Sequence, residues 1–208
     1  MTWTSAFLSL DDMPRMSADD RRELLVQAAI RVMSREGVAN ATTRLIVAEA
    51  GMPLGVFHYC FRSKEELLEQ VMAAINEQSF EAVMPALQGN ESFEQIIQGG
   101  LRAYWAHVVR DPAPHQLTYE LTQYALRSAP ESAIKQYDAY LDLNRKFLTV
   151  LTEITGHEWT VPVESLARYL LAVIEGVTFQ WLVDADNDAA LAVLEEFGRH
   201  IAGCAKPR

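Results

Sequence analysis

The segment Ala50-Gly51-Met52-Pro53-Leu54-Gly55-Val56-Phe57-His58-Tyr59-Cys60-Phe61-Arg62-Ser63-Lys64-Glu65-Glu66-Leu67 constrains this chain more than any other. Gly51 follows an apolar-striped run from Thr43 to Ala50 and suits the left-handed conformation that closes a helix and turns the chain. Pro53 fits the start of the next helix, because its fixed φ matches the first turn and its missing N–H needs no partner there. Ser63 with Glu66 reads as a capping box, so a new helix starts after Phe61. Three helix boundaries within about twenty residues leave two short helices joined by a tight turn. That is a helix-turn-helix, whose second helix enters the major groove of DNA.

Upstream, Ser17 is the expected N-cap of a first helix, with Asp19 and Asp20 in its first turn. Leu24, Leu25, Ala28, Ala29, Val32 and Met33 recur at helical spacing until Gly37 stops the run. The expected organisation is a flexible arm over 1–16, a helix-turn-helix domain over 17–62 and a helical effector-binding and dimerisation domain over 63–208.

From these residues the chain resembles the TetR family of transcriptional regulators. The matching positions are Gly37, Thr42, Thr43, Ile46, Ala50, Gly51, Gly55, Phe57, Phe61, Ser63, Lys64, Glu65 and Leu67. The likeness is specific over about fifty residues; the remainder agrees in length and helicity. It implies DNA contacts from Thr42, Thr43 and Arg44, from Pro53, Leu54, Gly55, Val56, His58 and Tyr59, and from Arg62 and Lys64. The chain departs from the family pattern at Pro53-Leu54, where many relatives carry Ser-Lys, and at His58, where many carry Tyr. The electrostatic role then falls to Arg44, Arg62, Lys64 and the backbone amides at helix N-termini. Phe57 and Phe61 are expected to pack inward.

Charge supports this reading only by contrast. Between Arg15 and Met72 lie 8 basic and 8 acidic residues, so the net charge of -10 belongs to the rest of the chain. A neutral reader on an acidic body holds random DNA weakly and depends on fit and base contacts. With 208 residues, half of them hydrophobic, the chain can bury a sizeable core. No run of eighteen apolar residues suggests a membrane span, and the opening residues lack a basic region ahead of their apolar ones, as a signal peptide would have. Cys60 and Cys204 are far apart and show no metal or redox spacing, which fits a reducing cytoplasm, and Cys60 is expected to be a buried, inert thiol. No metal or cofactor is expected.

Beyond Leu67 the pattern stays helical. A fourth helix runs from Ser63 to near Met84, ended by Pro85 and Gly89. Ser92 with Gln95 caps a fifth, which Asp111-Pro112-Ala113-Pro114 breaks, and a sixth covers about His115 to Arg127. Pro130 opens a seventh that Gly156 stops, Pro162 an eighth, and Asp186 or Asn187 a ninth that fades at Gly203. No strand pattern competes, so the expected fold is all-α with about nine helices. Gly99-Gly100 inside the fifth helix points to a close helix approach, with a hinge or a roomy pocket wall as the alternative.

The last two helices carry the assembly argument. Leu166, Leu170, Val173 and Val177 line one side of the eighth helix, and Leu191, Leu194, Phe197 and Ile201 stripe the ninth. As the resemblance implies, these stripes from two subunits would close a four-helix bundle, giving a homodimer that reads a palindromic operator; a monomer with an unusually large core is the competing account. A small organic effector is also implied. Candidate lining residues are Tyr104, His107, Tyr124, Tyr140 and Asn144, then Phe147, Glu175, Thr178 and Phe179, mixtures of aromatic and hydrogen-bonding groups on apolar surfaces. The expected function is a ligand-responsive repressor, not an enzyme. Two rivals remain: a constitutive architectural DNA binder, and an all-α enzyme built on His107, His115 and Glu120, whose spacing matches no metal motif.

Overall fold

The computed structural model describes residues 16–87 and 91–208. The expected N-terminal arm and the expected helix end at Gly89 fall outside the described residues. The elements are α1 (Ala18–Glu36), α2 (Thr43–Glu49), α3 (Leu54–Cys60), α4 (Lys64–Val83) with a 3-10 turn at Met84–Leu87, α5 (Phe93–Arg110), α6 (Pro112–Ser128), α7 (Pro130–Thr155), β1 (His157–Trp159), α8 (Val163–Asp184), α9 (Asn187–Ala202) and β2 (Ala205–Pro207). The protein is all-α apart from one short ribbon.

The caps explain the boundaries. Ser17 and Asp20 form a reciprocal capping box at α1, and Gly37 ends that helix at φ 81°. Ser92 and Gln95 form a second box at α5. At α4 only half of the box exists. Ser63 Oγ accepts the Glu66 N–H, but the Glu66 carboxylate accepts the Arg62 N–H rather than that of Ser63. The Pro-rich break is also shorter than its sequence suggests. Pro112 occupies the first turn of α6, where a missing N–H costs nothing, so the helix starts three residues before His115.

The ribbon is a feature that periodicity missed, since three-residue strands carry no alternation to read. β1 pairs antiparallel with β2, Glu158 opposite Lys206, and ties the chain's C-terminal end to the α7–α8 connection. Lys206 and Glu158 form an ion pair at 3.0 Å, and His157 stacks on Phe93 of α5 at 4.2 Å.

Two apolar cores result. The first joins α1 to α3 with Leu67, Leu68, Val71, Met72 and Ile75 of α4 and with Leu117 and Leu121 of α6. The second joins α5, α7, α8 and α9, including Trp105, Leu148, Leu151 and Phe197. The N-terminal core thus continues past Arg62, with α4 and α6 as its outer wall. The Gly99-Gly100 pair allows the fifth helix to lie close to the end of α4: a Cβ on Gly99 would meet the Ala86 carbonyl oxygen at 3.6 Å, and one on Gly100 would meet Val83 at 3.4 Å.

Candidate nucleic-acid interface and effector cavity

The reader unit is built from its caps outward. Thr42 Oγ1 accepts the Leu45 N–H at 3.2 Å and opens α2. Gly51 adopts φ 68° with open space around its missing Cβ, so the turn needs glycine for its backbone angle and not for room. Pro53 is the N-cap of α3, one position earlier than a first-turn proline. Phe57 and Phe61 are buried as expected, and Cys60 is buried with them. This turns Leu54, Gly55, His58 and Tyr59 outward, with Tyr59 71% exposed. Thr42, Arg44, Pro53 and Arg62 are exposed beside them, and Thr43 is half-buried. Among the described residues, neither Arg44 nor Arg62 is in an ion pair.

Two residues expected on this face are turned away from it. Val56 packs against the N-terminal core, because α3 buries the side that carries Phe57 and Cys60. Lys64 donates from Nζ to the Val38 carbonyl at 3.0 Å and sits over the Tyr124 ring, and its burial lowers its pKa. It fastens helices together instead of reaching out.

One residue that sequence reasoning did not single out fixes the end of α3. Arg22 donates to the Cys60 carbonyl, pairs with Glu66 Oε1 at 2.6 Å and lies 4.4 Å above the Phe61 ring. Glu66 Oε2 accepts the Arg62 N–H at 2.8 Å. Arg22 thereby pins the C-terminal end of the reader helix to α1 and α4 together, using both the planar fork and the face of the guanidinium.

Behind α4 lies a cavity of about 130 Å³ between α4, α5, α6, α7 and α8. Six of the expected lining residues meet there: Tyr104, Tyr140, Asn144, Phe147, Glu175 and Thr178. Asn76, Phe80, His115 and Tyr119 join them. The phenol groups are engaged: Tyr104 with Thr178 at 3.3 Å, Tyr119 to the Glu175 carbonyl at 2.7 Å and Tyr140 to Met72 Sδ at 3.0 Å. Burial pushes the Tyr104 hydroxyl up to about 12 and those of Tyr119 and Tyr140 upward as well. It pushes the His115 imidazole down to about 4, so this ring is neutral. Asn144 donates from its amide to the Tyr140 carbonyl one turn back, so this part-buried amide has a partner within its own helix.

Three expected lining residues lie elsewhere. Tyr124 packs against the N-terminal core. His107 is half-buried beside Arg110, edge-on to His115 but outside the cavity. Phe179 is 54% exposed and meets Tyr119 edge-on from the far side. It sits one residue, or about 100° of helix, past Thr178.

The expected dimer stripes are corrected too. Leu166, Leu170 and Val177 of α8, with Leu194, Phe197 and Ile201 of α9, are buried in the protomer's own second core, and Val173 and Leu191 pack against it. The side of α8 left open carries Tyr169, Ala172, Phe179 and Val183, the last 77% exposed, and Val193 of α9 is exposed as well. By length and composition α8 is apolar enough to cross a bilayer, yet only 39% of its most apolar window is buried. Packing on α7 and α9 accounts for one side; on the other, Phe179 meets Tyr119 of α6 and Tyr169 meets Phe197 and His200 of α9, while Ala172 and Val183 stand exposed.

Comparison with known proteins agrees with this architecture. Residues 25–71 match the model of the bacterial regulatory proteins of the tetR family. The nicotine-responsive transcriptional repressor HdnoR of Paenarthrobacter nicotinovorans is 29% identical over 174 residues, 83% of this chain and 89% of that protein. The transcriptional regulator BetI of Vibrio atlanticus is 34% identical over 101 residues, 45% of this chain and half of BetI. The multidrug binding protein EbrR, solved with imidazole, superposes with a TM-score of 0.60 at 29% identity, covering 89% of this chain and 93% of EbrR. A capped helix-turn-helix and these relatives lead to one conclusion: residues 25–71 are a DNA-reading unit of the tetR family of bacterial regulatory proteins, and the chain as a whole is similar to transcriptional regulators of that family.

Proposed function

We propose that the protein is a repressor released from a palindromic operator when a small organic effector occupies the cavity behind α4. The observation that carries this reading is shared structure. The cavity is walled by Ile75 and Asn76 of α4 and by Thr118 and Tyr119 of α6, and both helices also complete the core of the reader unit. A ligand that changes the spacing of α4 and α6 therefore moves the two readers relative to successive major grooves. Thr42, Arg44, Leu54, Gly55, His58, Tyr59 and Arg62 form the proposed DNA surface. The open side of α8, with Ala172 and Val183 at its centre and end, takes the same side of a second copy; small residues there permit close approach. A DNA partner supports a cytoplasmic location.

The non-catalytic reading has its own support. The His107 and His115 rings lie 5.3 Å apart, but Glu120 turns its carboxylate to the Val38 N–H, so the three do not converge. The nicotine-responsive relative and the EbrR structure with ethidium support a small-molecule trigger for this chain without identifying it. The test is operator selection from random duplexes at stated salt, then titration of the selected complex with compounds that bind the cavity. Release at compound concentrations that saturate the cavity is the expected result. Unchanged operator affinity with every such compound overturns the induction model.

A further inference from the structure

The charge inventory of the cavity is one-sided. No lysine or arginine lines it, and Glu175 is its one formally charged side chain among the described residues. Among the described residues the Glu175 carboxylate has no hydrogen-bond or ion-pair partner, and desolvation is what raises its pKa. It is close enough to Tyr104, Tyr119 and Tyr140 to act on the phenol of each. Because those hydroxyls are engaged by protein groups, the three residues have mainly ring surface to offer a ligand. His115, neutral and buried, lines the same space with an Nε2 that meets no partner. A half-buried carboxylate among aromatic rings, beside a neutral imidazole, is a poor host for an anion and a good one for an ammonium group.

The approach has the same sign. A groove between α4 and α7 adjoins the cavity through Asn76, Phe80 and Leu143, and its rim carries Glu77 and Glu81. Lys146 of the same rim already holds its ammonium 5.4 Å from the centre of the Phe80 ring. A positively charged ligand is favoured at such a mouth, the more so on a chain of net charge -10.

Building on the effector cavity proposed above, we infer that its ligand class is a small monovalent organic cation, an amine or quaternary ammonium of about benzene size, held by Glu175 and the tyrosine rings. The volume sets the size, since a cavity of roughly 150 Å³ accommodates benzene.

Benzylamine, benzyl alcohol and benzoate have nearly the same shape and carry positive, zero and negative charge at neutral pH. Calorimetric titration of the full chain with all three gives the expected order benzylammonium, then benzyl alcohol weaker by about tenfold, then benzoate undetected. Glu175→Gln removes the roughly tenfold preference for the amine while leaving benzyl alcohol unchanged. Wild-type pH dependence supplies a readout independent of any variant. Burial raises the Glu175 pKa, so benzylammonium binding weakens as pH falls and the carboxylate protonates, while benzyl alcohol binding stays flat. The other titratable groups lining the cavity are neutral at pH 7, Tyr104 from α5, Tyr119 and His115 from α6 and Tyr140 from α7, and the charged Glu77, Glu81 and Lys146 stand in the adjoining groove. Equal or tighter binding of benzyl alcohol or benzoate, or a Glu175→Gln protein that still prefers the amine, overturns the cation assignment and leaves the effector site standing. Failure of all three to bind overturns both.

Discussion

Glu120 Oε1 accepts the backbone N–H of Val38 at 2.7 Å, joining α6 to the loop between α1 and α2 across 82 residues of sequence. Its neighbour Tyr119 points the other way and donates to the Glu175 carbonyl beside the cavity. Two successive residues of one helix thus grip the reader unit and the wall of the cavity. Lys64 closes the same loop from α4 by donating to the Val38 carbonyl.

Glu120→Ala should therefore loosen the coupling more than either binding site. Ligand affinity at the cavity stays within about threefold, whereas the ratio of operator affinities without and with ligand falls by about fivefold, the equivalent of one lost hydrogen bond. Parallel operator titrations of wild type and variant measure this. An unchanged ratio removes Glu120 from the path.

Ala172→Glu and Val183→Glu introduce charge on the open side of α8. Each should give a helical, folded monomer, because neither site belongs to the protomer's cores. Operator affinity drops by about hundredfold as the symmetric pair is lost. Sedimentation shows the change in mass; a stable dimer from both variants assigns the interface to another surface.

How much of this was legible from sequence depends on which kind of signal each residue gives. The reader unit was legible because caps and turn glycines act locally: Ser17, Gly37, Thr42, Gly51 and Ser63 all stand where their chemistry required. Which side of α8 the protomer uses was not legible, because periodicity finds its apolar sides without ranking them. Leu170 and Val177 fill its own core, while Val183 faces out. Phe179 and Thr178 show the same problem at single-residue scale, since one step along a helix separates cavity from surface. Arg22 gave no signal at all. Its partners Cys60 and Glu66 lie 38 and 44 residues away and are brought together by packing.

Arg22→Ala removes the bond to the Cys60 carbonyl, the Glu66 pair and the cover on Phe61. The expected loss is about 1 to 2 kcal/mol of stability with a parallel loss of operator affinity. Chemical denaturation checks the first quantity. A variant as stable as wild type contradicts the role given to the clamp.

The buried His115 makes stability depend on pH. Its folded-state pKa, near 4, lies below the unfolded value of 6.5, so between those limits the unfolded chain binds a proton that the folded one refuses. Stability contributed by the neutral ring is complete above about pH 6.5 and declines as pH falls toward 4, by about 3 kcal/mol at most. His115→Asn should flatten this part of the profile in denaturant titrations at several pH values; an unaltered slope assigns it to another group.

The account rests on a groove-reading surface around α3, held in pairs by α8 and α9. Its most direct test is duplex selection by the purified protein, followed by mass determination of the complex. The prediction is a palindromic sequence bound by two chains, with affinity lost in Tyr59→Ala and Arg44→Ala proteins that remain folded. Binding to no duplex even at low ionic strength, or equal binding by those two variants, would contradict it.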